Sequence, residues 1–375
     1  MEALFQGFLS LTWQQAVMIG IGLTLIWLAA AKEYEPSLLL PMGFGTVLVN
    51  IPMTAALTQA VGGTVVPGAI SVLFDAGIAN EMFPLLIFIG IGAMMDFSPV
   101  MERPVYALFG LTAQVGIFLT MGLAYYVFGF SVREAASIGI IGAADGPTSI
   151  FVSSRFAPQL LGPISVAAYS YMSMVPVIQP PVVRALTTKE ERRMNMTLRA
   201  GRTVSKRARI LFPIVVTIVV GIFAPSSSTL IGFLMFGNLL RESGVVARLS
   251  NSAQNELANI VTIMLGLGIS CTMTGDRFLR ADTLMILGMG LVAFVFDTAG
   301  GVLSAKLLNL FMKEKINPMI GAAGISAFPM SSRTIQQMAA REKPGTFVLM
   351  QASAANVAGQ IGSVVAGGLL LALLS

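Results

Sequence analysis

Gly142-Ala143-Ala144-Asp145-Gly146-Pro147-Thr148-Ser149 lies in the middle of an apolar run from Ala136 to Val152. An ionisable side chain at the centre of a membrane helix costs at least ~2.5–3.5 kcal/mol on insertion scales, so it faces a cavity or a partner rather than lipid. Gly146 and Pro147 interrupt the helical hydrogen-bond ladder at that point and free backbone carbonyls. Thr148 and Ser149 add hydroxyls. A carboxylate beside freed carbonyls and hydroxyls is a set of hard oxygen ligands. It suits Na+, or a proton if the carboxyl titrates. The plainer alternative is an aspartate that caps the half-helix after the break.

The surroundings of this stretch set the fold class. Of 375 residues, 55% are apolar and 11% charged, and the mean hydropathy is +0.81. Soluble domains carry roughly 25% charged residues, so a soluble globular protein is excluded. A β-barrel would need alternating segments of about ten residues, which are absent. Apolar runs near 16–31, 37–51, 85–97, 104–129, 135–153, 160–180, 210–224, 228–240, 257–274, 281–311, 317–330 and 345–374 predict an all-α polytopic membrane protein with about 10–12 helical segments. Several runs are too short to cross or are broken by Gly and Pro. With no histidine and one cysteine, Cys271, this chain cannot ligate zinc, haem or an iron–sulfur cluster, or build a His-dependent nucleophile. Carboxylate, guanidinium, hydroxyl, amide and carbonyl groups remain. The twenty-three methionines are spread over the spans and read as adaptable packing.

Nine basic residues (Arg184, Lys189, Arg192, Arg193, Arg199, Arg202, Lys206, Arg207, Arg209) and two acidic ones fall between 184 and 209, a local excess larger than the whole chain's +5. Flanked by spans and free of interleaved aromatics, this stretch reads as a cytoplasmic loop, not as a nucleic-acid surface. The first apolar run lacks the basic flank and small-residue cleavage pattern of a signal peptide. The number of full crossings before the loop leaves the side of the N-terminus open.

The two sides of the loop match each other. Gly142-Ala143-Ala144-Asp145 followed by Phe151-Val152-Ser153-Ser154-Arg155 parallels Gly321-Ala322-Ala323-Gly324 followed by Phe328-Pro329-Met330-Ser331-Ser332-Arg333. Met42-Gly43-Phe44-Gly45 parallels Leu234-Met235-Phe236-Gly237, and Ile89-Gly90-Ile91-Gly92 parallels Leu265-Gly266-Leu267-Gly268. Three matches in one order predict two repeats with broken or re-entrant helices, inverted relative to one another if each has an odd number of crossings. The expected division is an N-terminal helix over 1–35, a first membrane repeat over 36–183, the basic loop over 184–209 and a second repeat over 210–375.

Two broken segments meeting at the repeat interface would bring Asp145 near Asn317 and Ser326. Arg333 reads equally as a clamp for a carboxylate or anion and as a span-end arginine reaching the interface. Tyr171 and Ser173 offer cation ligands or a proton relay, although interfacial packing is the plainer reading of both. Asp96 precedes Phe97-Ser98-Pro99 and reads as a turn. Asp75, beside Gly77, reads as a break. Asp297 lies deeper in its run and reads first as a packing residue, second as an ion contact.

These residues resemble the β-subunit family of the Na+-translocating biotin-dependent decarboxylases, the oxaloacetate, methylmalonyl-CoA and glutaconyl-CoA decarboxylase sodium pumps. The motifs that carry the resemblance are Gly142 to Thr148, Tyr169-Ser170-Tyr171-Met172-Ser173-Met174-Val175-Pro176-Val177-Ile178-Gln179-Pro180-Pro181, and Asn317 to Arg333. The resemblance covers the chain from about Pro36 onward. It places the family's essential aspartate on Asp145, its tyrosine on Tyr171, and its second cluster on Asn317, Gly321, Ser326 and Arg333.

The resemblance also implies a mechanism. Partner subunits move a carboxyl group to biotin. This subunit then decarboxylates carboxybiotin, consumes a proton and exports Na+. Asp145 would exchange Na+ for H+, and Tyr171, Asn317 and Ser326 would complete cation sites. Arg333 would steady carboxybiotin or control Asp145, and Gly146 and Gly321 would allow close backbone approach. Further expectations are a homotrimeric core, biotin-carrying and carboxyltransferase subunits, a small γ/δ-type membrane subunit, and a bacterial or archaeal cytoplasmic membrane. The short region before Pro36 looks more like the acyl-CoA members than the oxaloacetate members. The alternative is a secondary Na+- or H+-coupled carboxylate transporter of the same architecture.

Overall fold

The computed structural model describes residues 7, 9–61, 63–196 and 204–374. Arg199 and Arg202 of the basic loop lie outside the described residues. Among the described residues, five helices are long and apolar enough to cross a membrane: α1 (Trp13–Lys32), Pro104–Tyr126, Ala247–Thr272, Ala281–Phe311 and Leu349–Leu374. Two bent pairs are long and apolar enough only when taken together, as a broken span or a re-entrant loop: α3 (Ala69–Gly77) with α4 (Met82–Met94) at 63°, and Pro158–Ser173 with Val175–Leu186 at 69°. Between α1 and α3 runs the short apolar helix α2 (Pro36–Val49). The all-helical expectation needs one addition, a two-stranded hairpin of β1 (Gln59–Val61) and β2 (Thr64–Val66). The Gly62-Gly63 pair between β-branched residues is its sequence signal, and Gly63 has φ +81°.

The span Pro104–Tyr126 contains α5 (Ala107–Thr112) and α6 (Val115–Tyr126). Then come α7 (Val132–Gly139), a 3-10 turn at Ile140–Ala143, and α8 (Gly146–Phe156). The bent pair α9 (Leu161–Ser173) and α10 (Val175–Leu186) leads to the basic loop. After it follow α11 (Lys206–Phe223), α12 (Ser228–Ser243), α13 (Ala258–Ile269) and the long α14 (Ala281–Phe311). The chain ends with α15 (Met319–Ala322), α16 (Met330–Glu342) and α17 (Leu349–Leu374).

The glycine motifs matched in the sequence sit where helices cross. On α4, Gly92 lies against the carbonyl of Leu234 in α12, and Gly237 of α12 lies against the carbonyl of Ile89 in α4. On α2, Gly45 lies against Ser270, and Gly266 of α13 lies against Pro41 and the Leu38 carbonyl of α2. A methyl group at any of these four glycines would collide with the facing helix. Each matched helix therefore packs on the other half of the chain, α2 on α13 and α12 on α4.

Contacts at the helix ends sort the molecule into two faces. At one face Asn317 donates to the Met194 carbonyl of the basic loop at 2.9 Å, and Glu342 accepts from Arg192 at 3.0 Å. Both ends of the segment α15–α16 therefore sit beside the loop. At the other face Gln159 donates to Glu134 at 3.0 Å, so both ends of the segment α7–α8 sit together. Helix α17 connects the faces, because Phe347 just before it bonds Asn195 of the loop at 3.1 Å, and its last turn, at Leu374, accepts from Arg133 at 3.2 Å. Its 26 residues span about 39 Å at 1.5 Å per residue, enough to cross a bilayer. Two re-entrant hairpins thus enter from opposite faces, hairpin 1 (α7–α8) and hairpin 2 (α15–α16).

Candidate functional site

The hairpin tips touch. Ser326, in the break of hairpin 2, donates its N–H to the Ala143 carbonyl of hairpin 1 at 3.0 Å. Hairpin 1 breaks as its sequence demands. The 3-10 turn ends at Ala144, whose φ of +52° is left-handed and costs on the order of 1 kcal/mol for a residue other than glycine. Asp145 is extended, and α8 restarts at Gly146 with Pro147 in its first turn, where a proline has no N–H to waste.

Asp145 is 2% exposed. Its Oδ2 accepts from Thr148 Oγ1 at 2.5 Å and from Ser363 Oγ at 2.8 Å. Ser149 Oγ donates to the Asp145 carbonyl at 2.9 Å. The carboxylate lines a cavity of about 220 Å³ together with Glu35, Tyr169, Asn259, Thr262, Ser326 and Gln360. Among the described residues, the lining holds two carboxylates, Asp145 and Glu35, and no lysine or arginine. Its field is therefore cation-attracting. The cavity runs from Glu35 and Met94 to Asp145. Met94 marks the basic-loop face, since its carbonyl accepts from Arg241 at 2.7 Å, and Arg241 lies beside Glu242, the partner of Arg209. Asp145, Ser326 and Gln360 are the buried part of the lining, and Ser37, Met94 and Asn259 are exposed, so Asp145 lies in the inner part of the cavity. Glu35 is a non-glycine residue at φ +36°, and burial raises its carboxyl above the ordinary value.

Helix α17 supplies a face that the motif reading missed. Asn356 donates to the Ile325 carbonyl at 2.7 Å, Gln360 donates to the Ser326 carbonyl, and Ser363 reaches Asp145. Ser326 Oγ in turn donates to the Gly359 carbonyl at 2.8 Å. One helix face therefore clasps both tips. The signal was present, because polar residues at spacings of four and three on an apolar helix share a face. Gln360 Oε1 and Asn356 Oδ1 are buried without a hydrogen-bond partner among the described residues. Of the two, Gln360 shares the cavity lining with Asp145, and an orphaned carbonyl-type oxygen beside a carboxylate suits a hard cation.

The other expected site residues are placed as follows. Ser326 lines the same cavity as Asp145. Asn317 does not. It is fully buried at the base of hairpin 2, where it fastens the basic loop and accepts from Met319 N at 3.1 Å. Tyr171 lies outside the cavity, with its hydroxyl donating to the Leu287 carbonyl of α14 and its ring against Gly290. Tyr169 is the tyrosine at the site, packed on Gly146 and 5% exposed. Arg333 is exposed, one helical turn beyond Pro329 of the cavity wall, and makes no ion pair with Asp145. Gly321 meets Gly301 of α14 backbone to backbone. Gln179 donates at 2.8 Å to both the Ala322 carbonyl and Ser331 Oγ, so α10 braces hairpin 2 as α17 braces hairpin 1. Asp96 caps its turn by accepting from Ser98 N at 2.9 Å.

Comparison with known proteins adds the chemical context. The family model described as Na+-transporting oxaloacetate decarboxylase beta subunit matches residues 14–374. The β subunit of glutaconyl-CoA decarboxylase from Acidaminococcus fermentans is 49% identical over 367 residues, covering 98% of this chain and 95% of the relative. The β subunit of methylmalonyl-CoA decarboxylase from Veillonella parvula is 49% identical over 369 residues, with 98% and 95% covered. An oxaloacetate decarboxylase β chain from Salmonella typhi is 44% identical over 426 residues, with 99% and 98% covered.

Proposed function

Because the chain belongs to the β-subunit family of the Na+-transporting decarboxylases, we propose that it is the membrane subunit that decarboxylates carboxybiotin presented by a partner subunit, consumes a proton and exports Na+. The observation that carries the reading is the cavity whose described lining holds two carboxylates and no basic residue, with Asp145 in its buried part. Carboxybiotin, when docked, supplies an N-carboxyl group whose loss as CO2 leaves a nitrogen that takes up one proton. The polar groups at the open end, Ser37, Asn259 and Thr262, together with apolar Ile91, Met94 and Phe328, fit a heterocycle with amide-like edges.

Asp145 holds Na+ while ionised and releases it on taking a proton. Thr148 and Ser363 hold the carboxylate in place through Oδ2. Ser326 and the free Gln360 Oε1 add neutral oxygens. Arg333, one turn beyond Pro329 and exposed, is available to an anionic substrate at the mouth. Asn317 and Tyr171 act through position, Asn317 by fastening the basic loop to hairpin 2 and Tyr171 by joining α9 to α14.

The division into repeats over 36–183 and 210–375 draws support from the reciprocal crossings of α2 with α13 and α12 with α4. Opposite entry of the two hairpins supports inverted topology. Acyl-CoA complexes are favoured over oxaloacetate. The alignments to the glutaconyl-CoA and methylmalonyl-CoA relatives run to 367 and 369 positions, close to this chain's own length, whereas the oxaloacetate relative needs 426. We place the protein in a bacterial or archaeal cytoplasmic membrane with the basic loop inside. Its partners are biotin-carrying and carboxyltransferase subunits and a small γ/δ-type subunit, around a homotrimeric core.

The test is Na+ uptake into vesicles that hold the whole complex. Uptake that depends on the carboxylated substrate and is abolished by avidin is expected. Uptake driven by a solute gradient and indifferent to avidin would overturn the reading in favour of a solute-coupled carrier.

A further inference from the structure

Among the described residues, Asp297 is the one buried carboxylate that the proposed mechanism leaves unused. It sits in the interior of α14 and is 1% exposed. Neither of its oxygens completes a hydrogen bond within the described residues. It lies against Gly116 in the first turn of α6, where the neighbouring Ile117 N–H bonds the Gln114 carbonyl at 3.2 Å. No lysine or arginine pairs with it among the described residues.

Two glycines from different elements make room for this side chain. A Cβ on Gly116 would collide with Asp297 Oδ1, and a Cβ on Gly142 would collide with Oδ2. Gly142 also lies against Ala293, one turn earlier on α14. Gly142 belongs to the 3-10 turn of hairpin 1 and stands three residues before Asp145. The carboxyl is therefore wedged between the start of α6 and the turn that delivers Asp145 to the cavity. A buried charged or polar group without partners is expensive, and the two glycines show that the packing is shaped around this group rather than around a smaller one.

We propose that Asp297 is a positioning residue for Asp145, fixing the depth at which the tip of hairpin 1 sits between α6 and α14 and so the geometry of the cation site. The inference rests on the reading of Asp145 as the Na+ carboxylate. The Ile140–Ala143 turn is its lever. It follows the last hydrogen-bonded turn of α7 and ends at the left-handed Ala144, so a shift of the turn passes directly to Asp145. Groups that hold a metal ligand from behind typically change metal affinity or activity 10–100-fold when removed, and a group that only sets the ligand's position acts first on affinity.

The experiment measures Na+ half-saturation and turnover at saturating Na+ for the purified whole complex, with thermal unfolding as a check on folding. Asp297→Ala is expected to raise the half-saturation about tenfold or more while saturated turnover falls less. Asp297→Asn, which keeps the shape, is expected to restore most of that affinity. Gly142→Ala, which pushes on the same contact from the other side, is expected to copy the alanine variant. Should Asp297→Ala fail to assemble, Gly142→Ala and Asp297→Asn carry the test. An unchanged half-saturation in the alanine variant, or in Gly142→Ala where that variant stands in, overturns the proposal. So does an Asp297→Asn complex as inactive as Asp145→Asn, which would make Asp297 a ligand. If Asp145→Asn itself keeps Na+-dependent turnover, the underlying reading fails instead, whatever the Asp297 variants do.

Discussion

Ser363→Ala isolates the contribution of α17 to the cation site. The hydroxyl donates to Asp145 Oδ2 at 2.8 Å and shares its proton with the Gln360 carbonyl at 3.0 Å. A hydrogen bond to a charged group contributes about 1.5–3 kcal/mol, and removal from a buried carboxylate leaves part of its charge uncompensated. The shared geometry and the remaining Thr148 bond at 2.5 Å place the loss near the lower end. About 1.4 kcal/mol is tenfold in an equilibrium constant. The variant should therefore need about ten times more Na+ for half-maximal avidin-sensitive uptake, with a larger rise at acidic pH, where protons compete harder for the weakened carboxylate. Radiosodium uptake by the reconstituted complex at several pH values reads both effects. An unchanged half-saturation would refute the claim that α17 builds this site.

Four further outcomes are expected. Asp145→Asn should abolish both Na+ uptake and carboxybiotin decarboxylation while the subunit still inserts and co-purifies with its partners, and residual coupled uptake would reject its role. Gly237→Ala should cost about 1–3 kcal/mol through overpacking against the Ile89 carbonyl, seen as a lower unfolding midpoint of the detergent-solubilised complex; an unchanged midpoint would contradict the crossing geometry. Asn317→Ala should cost about 1–2 kcal/mol and speed proteolysis within the basic loop, because the Met194 carbonyl loses its fastening; equal cleavage rates would count against that role. Glu35→Gln should raise the Na+ half-saturation yet stabilise the protein near neutral pH. A carboxyl whose folded value is raised makes stability fall as pH climbs through and above its ordinary value of 4.5, so the gain should vanish below that value. A variant less stable than the parent at neutral pH would reverse the sign.

The break at Gly146-Pro147 was legible because two residues that cannot continue a helix flank a carboxylate in an apolar run. The glycine motifs were read only as signs of a repeat, and the structure places them at helix crossings, where only a missing Cβ lets carbonyls approach so closely. Three-dimensional placement was less legible. Asn317 and Ser326 are nine residues apart on one hairpin, and sequence spacing does not say which end reaches the midplane. Tyr169 and Tyr171 point about 200° apart on a helix at 3.6 residues per turn, so only the packing of α9 decides which one meets Asp145. The clasp of α17 was readable from Asn356, Gln360 and Ser363 alone, but no break or matching motif drew attention to that helix.

Carbodiimide labelling of the complex, mapped residue by residue, addresses the cation site most directly. Na+ should protect Asp145 from modification in a saturable way, while choline at equal ionic strength should not, and Asp96 at the exposed turn should label equally in both. Equal labelling of Asp145 in Na+ and in choline would contradict a sodium ion held by that carboxylate.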